Sequence, residues 1–284
     1  MIMDGMSEMA SRVRPLAGAL GAEVTGVDLA TLSDAGFTEL TKAFLEHQVL
    51  VFRDQTLDAA SYLETARRFG SPVAYPFAEG VADHPEITVI IKEPHQTSNF
   101  GGMWHSDTTY KPEPPKATML YCRETPEAGG DTVFACQYRA FEALSEPMKK
   151  ILMGLNGVSS SGKNAAALRG THLATGTMQG TGCADVMTAV HPAVRRHPET
   201  GRCALYVNPS HTVGFEGMTD AESTPIREFL FQHQIRLEFT ARVRWAPGTL
   251  VIWDNRSSQH CAINDYDGQR REMWRITLAG DPPV

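Results

Sequence analysis

The 284-residue chain carries 42% hydrophobic and 21% charged side chains, enough apolar material for a large core and too little bias for a disordered chain. Its formal net charge of −7 and pI near 5.8 provide no broad cationic surface, which argues against nucleic acid or an anionic membrane as partner. The five cysteines, Cys122, Cys136, Cys183, Cys203 and Cys261, include no Cys-x-x-Cys pair and are odd in number, so they read as reduced thiols rather than a disulfide framework. No apolar run is long enough to span a bilayer, and the start of the chain lacks a basic segment followed by an apolar one. A soluble cytoplasmic protein is expected, folded as one domain over residues 1–284 with a flexible start at 1–10.

In chain order, Gly21 to Leu29 alternates apolar and polar residues like a half-buried strand. Ser33 is placed to cap a helix whose Phe37, Leu40, Phe44 and Leu45 recur at helical spacing up to His47, and His47 reads as a capping or packing residue. Val49 to Phe52 follows as a wholly apolar strand, and a second helix is expected from after Thr56 to Gly70, a residue suited to a left-handed cap. Ile87 to Ile91 is another strand. Met119 to Cys122 and Asp131 to Ala135, joined across Glu127-Ala128-Gly129-Gly130, read as a hairpin. Helical material from Tyr138 to Met153 restarts near Ser145-Glu146-Pro147 and stops at Gly154. Residues 159–182, rich in Gly, Ser, Thr and Ala, read as a long loop and candidate lid, with His172 within it. Val190 to Pro192 and Ala204 to Asn208 resume strand character around a turn at Pro198 to Gly201. Thr219-Asp220-Ala221-Glu222 is a capping box before a helix, and Phe239 to Trp245 and Thr249 to Trp253 read as late strands.

The chemistry begins at Trp104-His105-Ser106-Asp107. Side chains two apart on an extended strand leave the same face, so His105 and Asp107 read as ligands to one metal ion. A facial triad of two histidines and one carboxylate would need a second imidazole, and His260, just past the strand ending at Trp253, can supply it. Trp104 and Trp253 read as packing that orients the ligands, while Asp254 and Asn255 read as turn residues or as residues that can orient a ligand histidine by hydrogen bonding without touching metal. Arg271 and Arg275, four apart, can converge on an anion, and an Arg fork grips carboxylate bidentately.

Trp104-His105-Ser106-Asp107, Gly129-Gly130-Asp131-Thr132, Trp253-Asp254-Asn255-Arg256 through His260, and Arg271 through Arg275 together closely resemble the taurine and dichlorophenoxyacetate dioxygenase family, over roughly Gly21 to Asp281. The resemblance implies a mixed, mainly β fold, a double-stranded β-helix or jelly roll with helices outside one sheet. It implies Fe(2+) held by His105, Asp107 and His260, with α-ketoglutarate and O2 as co-substrates, Arg271 and Thr132 on the distal carboxylate of the keto acid, and Arg275 on the substrate's anionic group. Tyr75 stands where the taurine enzymes have a histidine that contacts the sulfonate, a departure that turns the expectation away from taurine itself. The expected reaction hydroxylates a small anionic substrate, a sulfonate, alkyl sulfate or aryloxyalkanoate, with collapse to an aldehyde or ketone and release of succinate and CO2. The alternatives are a non-oxidative metal-dependent hydrolase and a non-catalytic binding protein on the same barrel. A homo-oligomer is compatible with the sequence.

Overall fold

The computed structural model describes residues 12–74, 80–163 and 186–284. The start at 1–10, Tyr75, Cys183, and most of the expected lid, including His172, lie outside the described residues. The chain first forms β1 (Val13–Pro15), β2 (Ala22–Val24), α1 (Asp34–His47), β3 (Val49–Phe52), α2 (Ala59–Phe69), β4 (Pro72–Val73) and β5 (Gly80–Val81). Next come β6 (His84–Lys92), β7 (Ala117–Glu124), β8 (Thr132–Cys136), α3 (Gln137–Glu142), α4 (Glu146–Met153) and β9 (Asn156–Ser160). Then follow β10 (Thr188–Pro192), β11 (Val194–Arg196), β12 (Cys203–Leu205), β13 (Thr212–Phe215) and α5 (Asp220–His233). The chain closes on β14 (Thr240–Val243), β15 (Leu250–Asp254), β16 (Ser258–Ala262) and β17 (Arg271–Leu278).

The helices start where side chains can satisfy their free N–H groups. Ser33 accepts from Gly36 N at α1, Asp58 and Ser61 cap α2 reciprocally, Ser145 accepts from Met148 N at α4, and Thr219 and Glu222 form the expected capping box at α5. Gly70 ends α2 as expected, but in extended backbone (φ 165°) rather than a left-handed cap; the left-handed residue is Gln48, after α1 (φ 65°). The strand expected over Gly21 to Leu29 is shorter, ending at Val24.

A nine-stranded sheet runs β1-β2-β3-β15-β7-β17-β6-β5, with β4 added on β17, and a second sheet runs β14-β8-β16. Alternation along the strands decides what each face of the large sheet meets. Leu50, Phe52, Met119, Tyr121, Leu250, Ile252, Ile276 and Leu278 point one way and pack with Leu40, Phe44, Tyr62, Leu63 and Phe69 of α1 and α2. Val49, Val51, Leu120, Cys122, Val251, Trp253 and Met273 point the other way, onto Phe134, Cys136, Ala241 and Val243 of the second sheet. Helices therefore cover one face of the large sheet and the second sheet covers the other, a mixed, mainly β architecture. Arg271 and Arg275 share the parity of Met273, so β17 directs both guanidinium groups into the space between the sheets.

The expected hairpin of β7 and β8 is a correction. β7 pairs with β15 and β17, and β8 with β14 and β16, so the Gly129-Gly130 turn carries the chain from one sheet to the other. The candidate lid also begins later than expected, because Ser159 and Ser160 belong to β9, which pairs with β10 and β13. The turn at Pro198 to Gly201 does join a hairpin, between β11 and β12. With α3, α4 and α5, these strands enclose a third cluster of Leu144, Leu152, Leu205, Val207, Phe215 and Leu230.

Candidate metal centre

His105 is joined to β16 by one antiparallel bridge, with His105 N donating to His260 O (3.0 Å) and His260 N to His105 O (2.8 Å). This pairing brings the imidazole centroids to 4.1 Å. The extended strand expected through His105 and Asp107 is only that bridged residue. The chain then turns through Thr108 (φ 42°), closed by Lys111 N donating to Thr108 O (3.0 Å), and the Ser106 and Thr109 hydroxyls bond to Asn255 O and the His211 ring. The turn sets Asp107 Oδ1 at 3.6 Å from His105 Nε2 and 4.0 Å from His260 Nε2. One ligand atom from each of the three buried side chains lies within 4.8 Å of the others, a spacing that one ion can bridge.

Hydrogen bonds fix how these groups face inward. Met103 O can only accept, so the 2.6 Å contact puts the proton of His105 on Nδ1 and turns the Nε2 lone pair to the centre. His260 lies against Trp253 (centroids 4.6 Å) and Phe134 (6.1 Å), and its Nδ1 has no hydrogen-bond partner among the described residues. Thr118 Oγ1 donates to Asp107 Oδ2 (2.6 Å), while Arg275 Nη2 reaches Oδ1 (2.8 Å). Thr118 accepts in turn from Asn255 Nδ2 (3.0 Å), and Asn255 Oδ1 accepts from Trp253 Nε1 (3.0 Å). Asn255 thus orients the carboxylate rather than the histidine expected from sequence, because its amide faces β7. Asp254 does not touch His260 either. Its Oδ1 accepts from Arg256 Nε (2.9 Å), and its Oδ2 from Arg256 Nη2 (2.7 Å) and His197 Nε2 (3.0 Å), a buried knot at the β15–β16 turn.

Burial pushes both candidate ligand imidazoles below their ordinary pKa, against the pull of Asp107, so they are neutral and available at neutral pH. Burial also pushes the Asp107 carboxyl up, but the Arg275 guanidinium and the two imidazoles outweigh it and hold the group well below the usual carboxylate range. Two neutral nitrogens and one anionic oxygen, brought together on buried side chains, form a donor set that suits a divalent iron.

Arg271 begins β17 and Thr132 begins β8, on opposite sheets. Trp245 Nε1 donates to Thr132 Oγ1 (3.0 Å), which leaves the threonine O–H to donate elsewhere, and the Arg271 guanidinium lies 5.6 Å from the Trp245 ring. Arg271 is only 7% exposed, yet its Nε and Nη2 have no hydrogen-bond partner among the described residues. A buried cation with orphaned donors is costly unless an anion fills the place beside it, so these residues fit a carboxylate-bearing co-substrate. Gly130 (φ 70°) borders this cation, and a Cβ there would stand 3.2 Å from Arg271 Cδ.

His105, Asp107, His260, Thr132, Arg271 and Arg275 therefore all face the space between the sheets, while Tyr75 lies outside the described residues. The sequence reading did not single out Thr118, whose one available signal is a hydroxyl inside the buried run of β7. Nor did it single out His211, whose ring centroid lies 6.2 Å from that of His105. His211 sits in a short link between β12 and β13, where no periodicity marks it.

The family described as taurine catabolism dioxygenase TauD, TfdA family matches residues 12–277. The chain is similar to an α-ketoglutarate-dependent sulfate ester dioxygenase of Pseudomonas putida, 36% identical over 96% of this chain and 90% of the relative. It is also similar to an (S)-phenoxypropionate/α-ketoglutarate-dioxygenase of Sphingobium herbicidovorans, 34% identical over 95% of each. Among solved structures, a taurine dioxygenase from Burkholderia xenovorans superposes with a TM-score of 0.81, at 34% identity over 96% of this chain and 90% of that one.

Proposed function

The chain belongs to the taurine catabolism dioxygenase TauD, TfdA family of Fe(II)- and α-ketoglutarate-dependent dioxygenases, and from that premise we propose that it hydroxylates a small organic anion, with a sulfonate, sulfate ester or aryloxyalkanoate as substrate. The observation that carries the proposal is the meeting, between two sheets, of His105, Asp107 and His260 with the orphaned donors of Arg271. The facing sheets support reading the fold as a double-stranded β-helix, or jelly roll, and the chain as a single catalytic domain.

Bound iron and α-ketoglutarate supply the oxidising power, O2 delivering one oxygen atom to the substrate and the other to succinate as CO2 leaves. The protein's part is to hold and orient. His105 Nε2, Asp107 Oδ1 and His260 Nε2 would hold the ion, and the Met103 carbonyl and the Thr118 hydroxyl keep the first two aimed. Arg271 takes the distal carboxylate of the keto acid with the Thr132 hydroxyl beside it, which sets the direction in which the co-substrate enters. Arg275, next to Asp107, together with Tyr75 receives the substrate's anionic head and so selects the carbon nearest the centre. Hydroxylation of a carbon bearing a sulfate oxygen leaves hydroxyl and sulfate on one carbon, and that adduct breaks its C–O bond to give an aldehyde and hydrogen sulfate.

The test is succinate formed from α-ketoglutarate with ferrous iron, read with oxygen uptake across alkyl sulfates, sulfonates and aryloxyalkanoates. Substrate-stimulated succinate in step with oxygen is expected. Turnover of any of these anions with zinc and without keto acid would instead indicate a hydrolase.

A further inference from the structure

A cavity of about 180 Å³ borders Arg275 and is lined also by Thr108, Lys111, Glu113, Thr277, Val73 and Ala74. Lys111 follows the turn that positions Asp107, and its backbone is anchored by His191 Nε2 donating to Lys111 O (3.0 Å). The Lys111 side chain is half-buried, and its ammonium has no ion-pair partner among the described residues. Glu113, the one carboxylate among the described residues that line the cavity, is exposed and makes no ion pair with Lys111. Arg275, by contrast, already leans on Asp107.

Resting on the dioxygenase reading above, we propose that Lys111 is the second cation of the substrate pocket and that it selects a terminal –SO3− group, of a sulfate ester or a sulfonate, over a carboxylate. The two cations come from different parts of the chain, the turn after Asp107 and strand β17, and both line the cavity. A tetrahedral –SO3− group has three oxygens pointing in divergent directions, so a guanidinium and an ammonium can each take one, with the Thr108 and Thr277 hydroxyls near the third. A planar carboxylate presents two oxygens in one plane, both of which an Arg fork can consume, leaving little for the lysine. Burial and the nearby Arg275 charge both push the Lys111 ammonium below its ordinary pKa, a strain that an anion between the two cations relieves.

Calorimetric titration of the iron- and α-ketoglutarate-loaded, oxygen-free protein with hexyl sulfate, hexanesulfonate and 2-phenoxypropionate tests this, with Lys111→Met and Lys111→Arg as variants. Loss of a charge-assisted hydrogen bond predicts that Lys111→Met weakens one or both –SO3− probes by about tenfold or more, and that Lys111→Arg restores binding to within about threefold of the native protein. The carboxylate probe should change less than about threefold. A response to hexyl sulfate alone assigns the pocket to esters, and a response to hexanesulfonate alone to sulfonates. Retained affinity for α-ketoglutarate checks that the variants fold. Native-like binding of both –SO3− probes by Lys111→Met, an equal loss for all three probes, or no binding of any probe to the native protein would overturn the proposal. Succinate formation by the native protein judges the dioxygenase reading separately.

Discussion

Asp107 carries the sharpest division of labour between two atoms of one side chain. Its Oδ2 is taken by the Thr118 hydroxyl at 2.6 Å, and its Oδ1 looks toward both imidazoles. Replacing Thr118 with valine keeps the shape and removes that donor, leaving a buried carboxylate oxygen short of one hydrogen bond. Metal affinity is expected to fall by about tenfold to a hundredfold, equivalent to the ~1.5–3 kcal/mol of a hydrogen bond to a charged group, and Thr118→Ser is expected to recover most of it. Competition for Fe(II) against a chelator measures this without turnover. An unchanged affinity in Thr118→Val would show that the carboxylate is oriented by Arg275 alone. His105 and Asp107 were legible because His-x-Asp is a local pattern that a later histidine and arginine completed. Thr118 was not legible, since its meaning depends on an oxygen that arrives from a turn in another part of the chain.

Among the elements, the β15–β16 connection holds the centre in place. It presents His260 on one side, while Asp254, Arg256, His197 and Glu199 tie its base to the β11–β12 hairpin. Burial alone would raise the Asp254 carboxyl, but the charge and hydrogen bonds of Arg256, with His197, hold it well below the usual range. Arg256→Met strips the main partner from a buried carboxylate and is expected to cost about 3–5 kcal/mol of unfolding free energy, measured by chemical denaturation. A loss below about 1 kcal/mol would mean that the knot is not carrying the turn. The helices after Ser33 and Thr219, placed by caps and apolar spacing, and the apolar strands β3 and β15, could be read locally because their signals are local. The pairing of β7 could not. Its partners β15 and β17 lie more than a hundred residues away in sequence, whereas the hairpin expectation weighed only the neighbouring β8.

At the scale of the whole molecule, closing two sheets over the centre buries the His105 and His260 imidazoles and partly buries that of His211, and all three must remain neutral. Burial is the main cause in each, and for His211 it lowers the pKa from 6.5 to about 3, with the nearby His105 adding to the effect. The folded state therefore refuses protons that the unfolded chain accepts below about pH 6.5, so stability is full above that pH and is lost as the pH falls toward 3. For His211 alone the loss at pH 5 is on the order of 2 kcal/mol, and His211→Gln is expected to flatten the fall in the metal-free protein's stability between pH 7 and 5. Equal slopes in the two proteins would contradict the burial of a neutral His211. The central claim is that His105, Asp107 and His260 hold iron while Arg271 holds the keto acid beside it. It is tested most directly by anaerobic titration of Fe(II) and then α-ketoglutarate, followed by calorimetry, in the native protein, Asp107→Ala and Arg271→Met. The account expects one iron and one keto acid per native chain, no tight iron in Asp107→Ala, and in Arg271→Met retained iron with keto-acid affinity lowered by about a hundredfold. Native-like iron binding by Asp107→Ala, or native-like keto-acid binding by Arg271→Met, would contradict it.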